Sequence, residues 1–199
     1  PFYLFLKFLV HYEVEGQENL KGLENKAVIF ASNHASYIDG PISAASMPRN
    51  GFCPKEFFPI RFVVYHKFFK WKYLLVALYV RVNGSIRVFK AKGDLETALK
   101  DTVQALKEGS KIWVYPEGNL TKDGKLGQGK RGVAYLHKTT GAPIIPVALN
   151  GTFKILTLKT LFFRTNVKIK MGKPIYSLGD TSLEEGVEIV MKEIEKLLN

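Results

Sequence analysis

The sequence predicts a single α/β domain with a mainly parallel central sheet flanked by helices. Two observations carry that expectation. Short apolar runs alternate along the chain with stretches of helical periodicity, the order produced by strand–helix–strand units. The 199 residues suffice for one domain with a substantial core, and 46% apolar against 24% charged residues is ordinary for a globular chain. No repeat or low-complexity segment interrupts the pattern.

Residues 1–12 are expected to be an apolar N-terminal segment, broken by Lys7, and residues 13–199 the domain proper. The chain opens on Pro1 rather than Met, so the expectation is that this segment is the remnant of a longer membrane-associated element. Tyr12–Val14 reads as a short strand, followed by a polar turn from Gly16 to Asn25. Ala27–Ala31 is a continuous apolar run and reads as a buried strand. A helix from about Ser36 to Ala45 follows, with Ser36 as a favourable N-cap, then a connection carrying Pro48, Gly51, Pro54 and Pro59.

Arg61–Tyr65 is strand-like, Phe68–Val80 is expected to be a helix with an aromatic face, and Ser85–Val88 reads as another short strand. In Asp94–Lys107, Leu95, Ala98, Leu99, Thr102 and Leu106 recur at helical spacing and Gly109 supplies the stop. Lys111–Tyr115 is a strand running into Pro116-Glu117-Gly118-Asn119. Gly129–Thr140 reads as a helix ended by Gly141. Ile144–Leu149 and Asn166–Lys170 read as strands. Ser182 caps a last helix with Val187, Val190, Met191, Ile194, Leu197 and Leu198 on one face.

Sites in such folds gather where strands end and helices begin. Three of these ends are chemically unusual: His34 with Asp39, the stretch from Gly84 to Lys90, and Glu117-Gly118. On one regular helix His34 and Asp39 would stand about 140° apart, five steps of about 100° each, and could not meet. They can meet if His34 sits in a turn and Asp39 in the first turn of the helix after it. The aspartate then holds one ring nitrogen and the other is free to act as a base. Ser36-x-x-Asp39 equally fits a capping box, in which the aspartate serves only a backbone N–H.

The formal net charge is +11, unevenly distributed. Between Gly40 and Gly93 one acid, Glu56, stands against ten Lys and Arg, and between Gly124 and Gly179 there are ten and no acid. Two such blocks predict an anionic partner, either phosphate-bearing small molecules, an acidic protein, nucleic acid or an anionic bilayer. No apolar run reaches the roughly 18 residues needed to span a bilayer. Aromatics are nevertheless interleaved with cations in Phe68-Phe69-Lys70-Trp71-Lys72-Tyr73 and Leu161-Phe162-Phe163-Arg164. With Phe57-Phe58 and the aromatic N-terminus, they predict a monotopic membrane surface. The single cysteine, Cys53, excludes an internal disulfide and a multi-cysteine metal site. The four histidines lack ligand spacing, so no metal is expected.

Several blocks resemble a known family, the glycerolipid acyltransferases of the 1-acyl-glycerol-3-phosphate acyltransferase (PlsC-like) type. Asn33-His34-Ala35-Ser36-Tyr37-Ile38-Asp39 matches its N-H-x-S-x-x-D block, with Val14-Glu15-Gly16 and Glu18-Asn19-Leu20 similar to its lead-in. Gly84-Ser85-Ile86-Arg87-Val88-Phe89-Lys90 is similar to G-x-I-x-V-x-R, with Lys in the last place. Tyr115-Pro116-Glu117-Gly118 matches F-P-E-G, Gly129-Lys130-Arg131-Gly132 resembles F-K-x-G, and Ile145-Pro146-Val147 fits V-P-V. The resemblance runs from about Val14 to Val147.

The resemblance implies an acyltransferase fold on a membrane surface, at the cytoplasmic face, and phospholipid synthesis as the activity. His34 would act as general base oriented by Asp39. A lysophospholipid hydroxyl would attack the thioester of acyl-CoA or acyl carrier protein directly, with no cofactor. Oxyanion donors are expected among N–H groups after His34 or around Gly118. The substrate-binding set is Gly84, Arg87, Lys90, Glu117, Gly118, Lys130, Arg131 and Pro146, with the cations as phosphate ligands. One departure stands out. Where the family continues E-G-T-R, this chain has Glu117-Gly118-Asn119-Leu120, and leucine cannot bind phosphate. That task passes to Lys122, Lys130 or Arg131, or the acceptor is another lysolipid. The remaining alternative is a non-enzymatic basic membrane-binding module. Nothing resembles a nucleic-acid recognition motif.

Overall fold

The computed structural model describes residues 10–49, 56–66, 78, 80–82, 84–89, 94–155 and 165–199. The expected segment over residues 1–9, nearly all of the expected Phe68–Val80 helix, Cys53, Lys90 and the Leu161–Arg164 stretch lie outside these residues.

The strands are β1 (Val10–Glu15), β2 (Val28–Ser32), β3 (Ile60–Tyr65), β4 (Ile86–Val88), β5 (Lys111–Val114), β6 (Ile144–Asn150) and β7 (Thr165–Met171). The helices are α1 (Asp39–Ala45), α2 (Leu95–Lys107), α3 (Gly132–Thr140) and α4 (Leu183–Leu198), with a 3₁₀ turn over Gln17–Leu20. Among the described residues, these seven strands form one sheet in the order β1-β7-β6-β2-β5-β3-β4. Every neighbouring pair is parallel except β6 with β7. The sheet is mainly parallel, as expected. β1 begins at Val10 and pairs Val10 with Thr165, so residues 10–12 belong to the sheet rather than to an N-terminal segment.

Both faces of the sheet are covered, which is why the central strands are apolar throughout instead of alternating. All five residues of β2 are buried. On one face Phe30, Trp113, Ile145, Val147 and Leu149 pack against α1 and the 3₁₀ turn. On the other, Ile29, Ala31, Ile112 and Ile144 meet the buried sides of α2, α3 and α4. Each fully buried aliphatic side chain of this kind contributes about 1.5–3 kcal/mol. Phe57 packs into the first cluster with Phe58 against it, so this aromatic pair serves the core rather than a membrane surface.

The ends of the elements follow from local chemistry. Asp94 accepts the Thr97 N–H and starts α2. At α4, the Ser182 hydroxyl accepts the Glu185 N–H while the Glu185 carboxylate accepts the Ser182 N–H, a complete capping box. Those bonds, the Ser182 backbone N–H first, hold the Glu185 carboxyl below its ordinary value. Ser182→Ala is expected to cost about 1 kcal/mol in chemical denaturation. Because the folded-state value is depressed, the Glu185 contribution is present above the ordinary glutamate value and is lost as pH falls through the depressed one. Denaturation curves across that acid range check the sign. The expected cap at Ser36 is not formed. Regular helix begins at Asp39, with Ile38 before it, and no side chain caps α1.

Candidate active site

The five adjacent strands β6, β2, β5, β3 and β4 run in one direction, so their C-terminal ends share one side of the sheet. His34 follows β2 there, and Tyr115 follows β5, the next strand over. The loop after β2 is held by its own residues on both sides. Trp113 Nε1 donates to Ser32 Oγ at 2.8 Å. The Asn33 amide donates to the Leu149 carbonyl at 3.0 Å and accepts the Leu149 N–H at 2.8 Å, clipping the loop to β6.

His34 and Asp39 meet. The His34 ring nitrogen Nδ1 lies 2.9 Å from Asp39 Oδ2, and Asp39 is fully buried while the His34 side chain is 21% exposed. The same oxygen accepts the N–H groups of Ala35 at 2.7 Å and Ser36 at 2.8 Å. One atom of Asp39 therefore closes the turn and holds the histidine, without Ser36 acting as the helix cap. Of the expected oxyanion donors, the Ala35 and Ser36 N–H groups are bonded to Asp39 and the Gly118 N–H to the Tyr115 carbonyl.

Glu117 is buried and bridges two loops. Its Oε1 accepts the His34 N–H at 2.8 Å, and its Oε2 accepts the Gly127 N–H at 2.8 Å. Each carboxylate oxygen holds a backbone donor, and Glu117 is not among the residues that line the cavity described next. The Thr121 N–H completes the clamp by donating to the His34 carbonyl at 2.8 Å. Glu117 therefore anchors the loop that carries His34.

In front of His34 a cavity of about 1080 Å³ opens between the sheet edge and the helices. Its walls are largely apolar, with Val63, Val114, Leu99, Leu136 and Met191 among them. Gly118, Lys130 and Arg131 also line it, together with Leu120, Glu184 and Glu188. Gly118 has φ +67, and a Cβ there would sit 2.5 Å from Lys130 Nζ, so the bare backbone lets the ammonium lie over the turn. Arg131 Nη1 pairs with Glu184 Oε1 of α4 at 3.2 Å. Lys122 is exposed and does not line the cavity.

Three expected binding residues stand elsewhere. Gly84 precedes β4, at the opposite end of that strand, where its carbonyl accepts from Arg61 Nε. Arg87 points away because β4 alternates: Ile86 and Val88 are buried, Val88 lines the cavity, and Arg87 is exposed between them. Pro146 is buried within β6, opposite Ala31, and does not line the cavity. Lys90 lies outside the described residues. A group not singled out in the sequence is central instead: the Tyr115 ring stacks on His34, with centroids 3.9 Å apart and planes 13° apart. Only the adjacency of β2 and β5 could have revealed it.

A family model described as Acyltransferase matches residues 11–150, well over half of the chain. The chloroplastic 1-acyl-sn-glycerol-3-phosphate acyltransferase of Arabidopsis thaliana is 27% identical over 165 residues, 82% of this chain and 43% of that protein. The 1-acyl-sn-glycerol-3-phosphate acyltransferase of Pseudomonas aeruginosa is 26% identical over 141 residues, 71% of this chain and 50% of that one. This chain spans half or less of the length of these relatives. The crystal structure of the 1-acyl-sn-glycerophosphate acyltransferase PlsC from Thermotoga maritima aligns with a TM-score of 0.74 at 24% identity. It covers 98% of this chain and 76% of that one, and it shows a shared fold.

Proposed function

Because this chain belongs to the acyltransferase family, we propose that it transfers a fatty acyl group from a thioester to the free hydroxyl of 1-acyl-glycerol-3-phosphate, making phosphatidic acid. The observation that carries the reading is the His34–Asp39 pair at the head of an apolar-walled cavity. Asp39 holds Nδ1, which leaves Nε2 as the base. In the proposed step Nε2 takes the hydroxyl proton as the oxygen bonds to the thioester carbonyl carbon. The C–S bond then breaks, and the departing thiolate takes the proton back from the imidazolium. Asp39, buried and anionic, stabilises that imidazolium. The donor is acyl-CoA or acyl carrier protein, and no cofactor takes part.

The acceptor phosphate is assigned to Lys130, with Arg131 beside it once it is released from Glu184. Exposed Tyr37 and Phe89 also line the cavity, as interfacial anchors would at an anionic membrane surface on the cytoplasmic face. Among the described residues no helix is long and apolar enough to cross a membrane. A second acceptor is favoured by one observation: Leu120 stands on the cavity wall where the family's arginine would. The chemistry is then unchanged, and a lysolipid with a less charged headgroup replaces lysophosphatidate.

The test is acyl transfer in vesicles, offering both donors against lysophosphatidate, a lysophosphodiester and a neutral monoacylglycerol. Lysophosphatidate is expected to be preferred, and Lys130→Gln to raise its KM about tenfold with kcat nearly kept. Equal rates for the neutral lipid overturn the phosphate assignment, and transfer to none of them overturns the activity.

A further inference from the structure

The Tyr115 ring covers one face of the imidazole at 3.9 Å and near-parallel geometry, while the ring edge is held by Asp39. An imidazole has two mechanical freedoms at such a site, rotation about its bond to the Cβ and tilt of its plane. The Asp39 bond restrains the first and the aromatic face restrains the second. The contact has an electrostatic side as well. When His34 takes a proton its ring becomes a cation, and the electron-rich face of a phenol attracts a cation more than it attracts a neutral ring. The contact is therefore stronger after proton transfer than before it, which is the condition for lowering a barrier.

We propose that Tyr115 is a positioning residue for the reaction, holding the plane of the His34 imidazole and stabilising its protonated form through the aromatic face. The inference rests on His34 acting as the base, as set out above. The other titratable and charged groups facing His34 come from several elements. Asp39 of α1 reaches Nδ1, and Glu117 reaches the backbone N–H. Lys130 and Arg131 with Glu184 and Glu188 share the cavity. None of these groups is altered by a change confined to the Tyr115 ring.

That independence selects the experiment. Tyr115→Phe keeps the aromatic face, and phenylalanines carrying one, two and three ring fluorines then drain its negative charge at nearly constant shape. His34 is followed by NMR titration of its ring carbon-bound proton, and acyl transfer is followed alongside. The expected result is a stepwise fall in the proton affinity of the imidazole, about threefold to tenfold across the series. The acidic limb of the rate profile moves to lower pH with it, and kcat falls while acceptor KM is unchanged. A flat NMR series overturns the proposal, since a purely steric neighbour is insensitive to fluorine. A graded NMR series with constant kcat also overturns it, because the contact then does nothing for the reaction. A graded series in a protein with no transfer to any lysolipid refutes the proposed activity and upholds the aromatic stabilisation of His34. Thermal melts of each variant confirm that the comparison is between folded proteins.

Discussion

His34→Ala is expected to reduce acyl transfer by about 10³-fold or more while leaving the fold intact. The proposed chemistry passes through one atom, Nε2, and positioned acid–base groups typically contribute 10²–10⁴ in rate. The substitution isolates that atom well. The backbone bonds of residue 34, from its N–H to Glu117 and from Thr121 to its carbonyl, do not depend on the side chain. The imidazole is also partly exposed, so its removal leaves a small defect beside Tyr115 rather than a cavity in the core. Circular dichroism and melting should match the parent, and vesicle binding should be retained. Transfer within tenfold of the parent in a preparation free of host enzyme would remove His34 from the mechanism.

Glu117→Gln is expected to damage stability and activity together, which separates a loop anchor from a substrate contact. Both carboxylate oxygens accept backbone N–H groups at 2.8 Å in a buried setting. Glutamine can accept only one of them, and its NH₂ then faces the other donor. Leaving one buried donor unmade costs about 1–3 kcal/mol, and the bond lost is to a charge. In a chain of this length that corresponds to a fall in Tm of roughly 3–10 °C. The displaced group is either His34 or Gly127, so kcat should fall as the base loses its position. An unchanged Tm with a large rise in acceptor KM would instead restore the substrate-contact role that the resemblance implies.

The fold is largely legible in the sequence. Amphipathic periodicity marks α2 and α4, and Asp94 and Ser182 cap them as their sequences require. Continuous apolar runs mark β2 and β6 as strands covered on both faces. The start of α1 was less legible. Asp39 binds two N–H groups that precede the helix, which moves regular helix three residues beyond Ser36. Motif membership also proved a poor guide to position. Gly84, Arg87 and Pro146 belong to blocks shared with the family, yet they serve a strand end, an outward face and the interior of the sheet.

The spacing of His34 and Asp39 permits their pairing but equally fits a helix cap, and the turn geometry realises the pairing. The turn from His34 to Asp39, two backbone donors and a carboxylate form a closed local unit. The rest of the site depends on which strands are neighbours. Strand order brings Tyr115 onto His34 across β2 and β5 and clips Asn33 to β6. It also lets Glu117 take hold of a residue 83 positions earlier. Such contacts are set by the closing of one sheet over two cores, a long-range event that no local spacing encodes. The chain therefore announces the His34–Asp39 pair in one short segment, and the packed sheet supplies the clamp and the aromatic face around it.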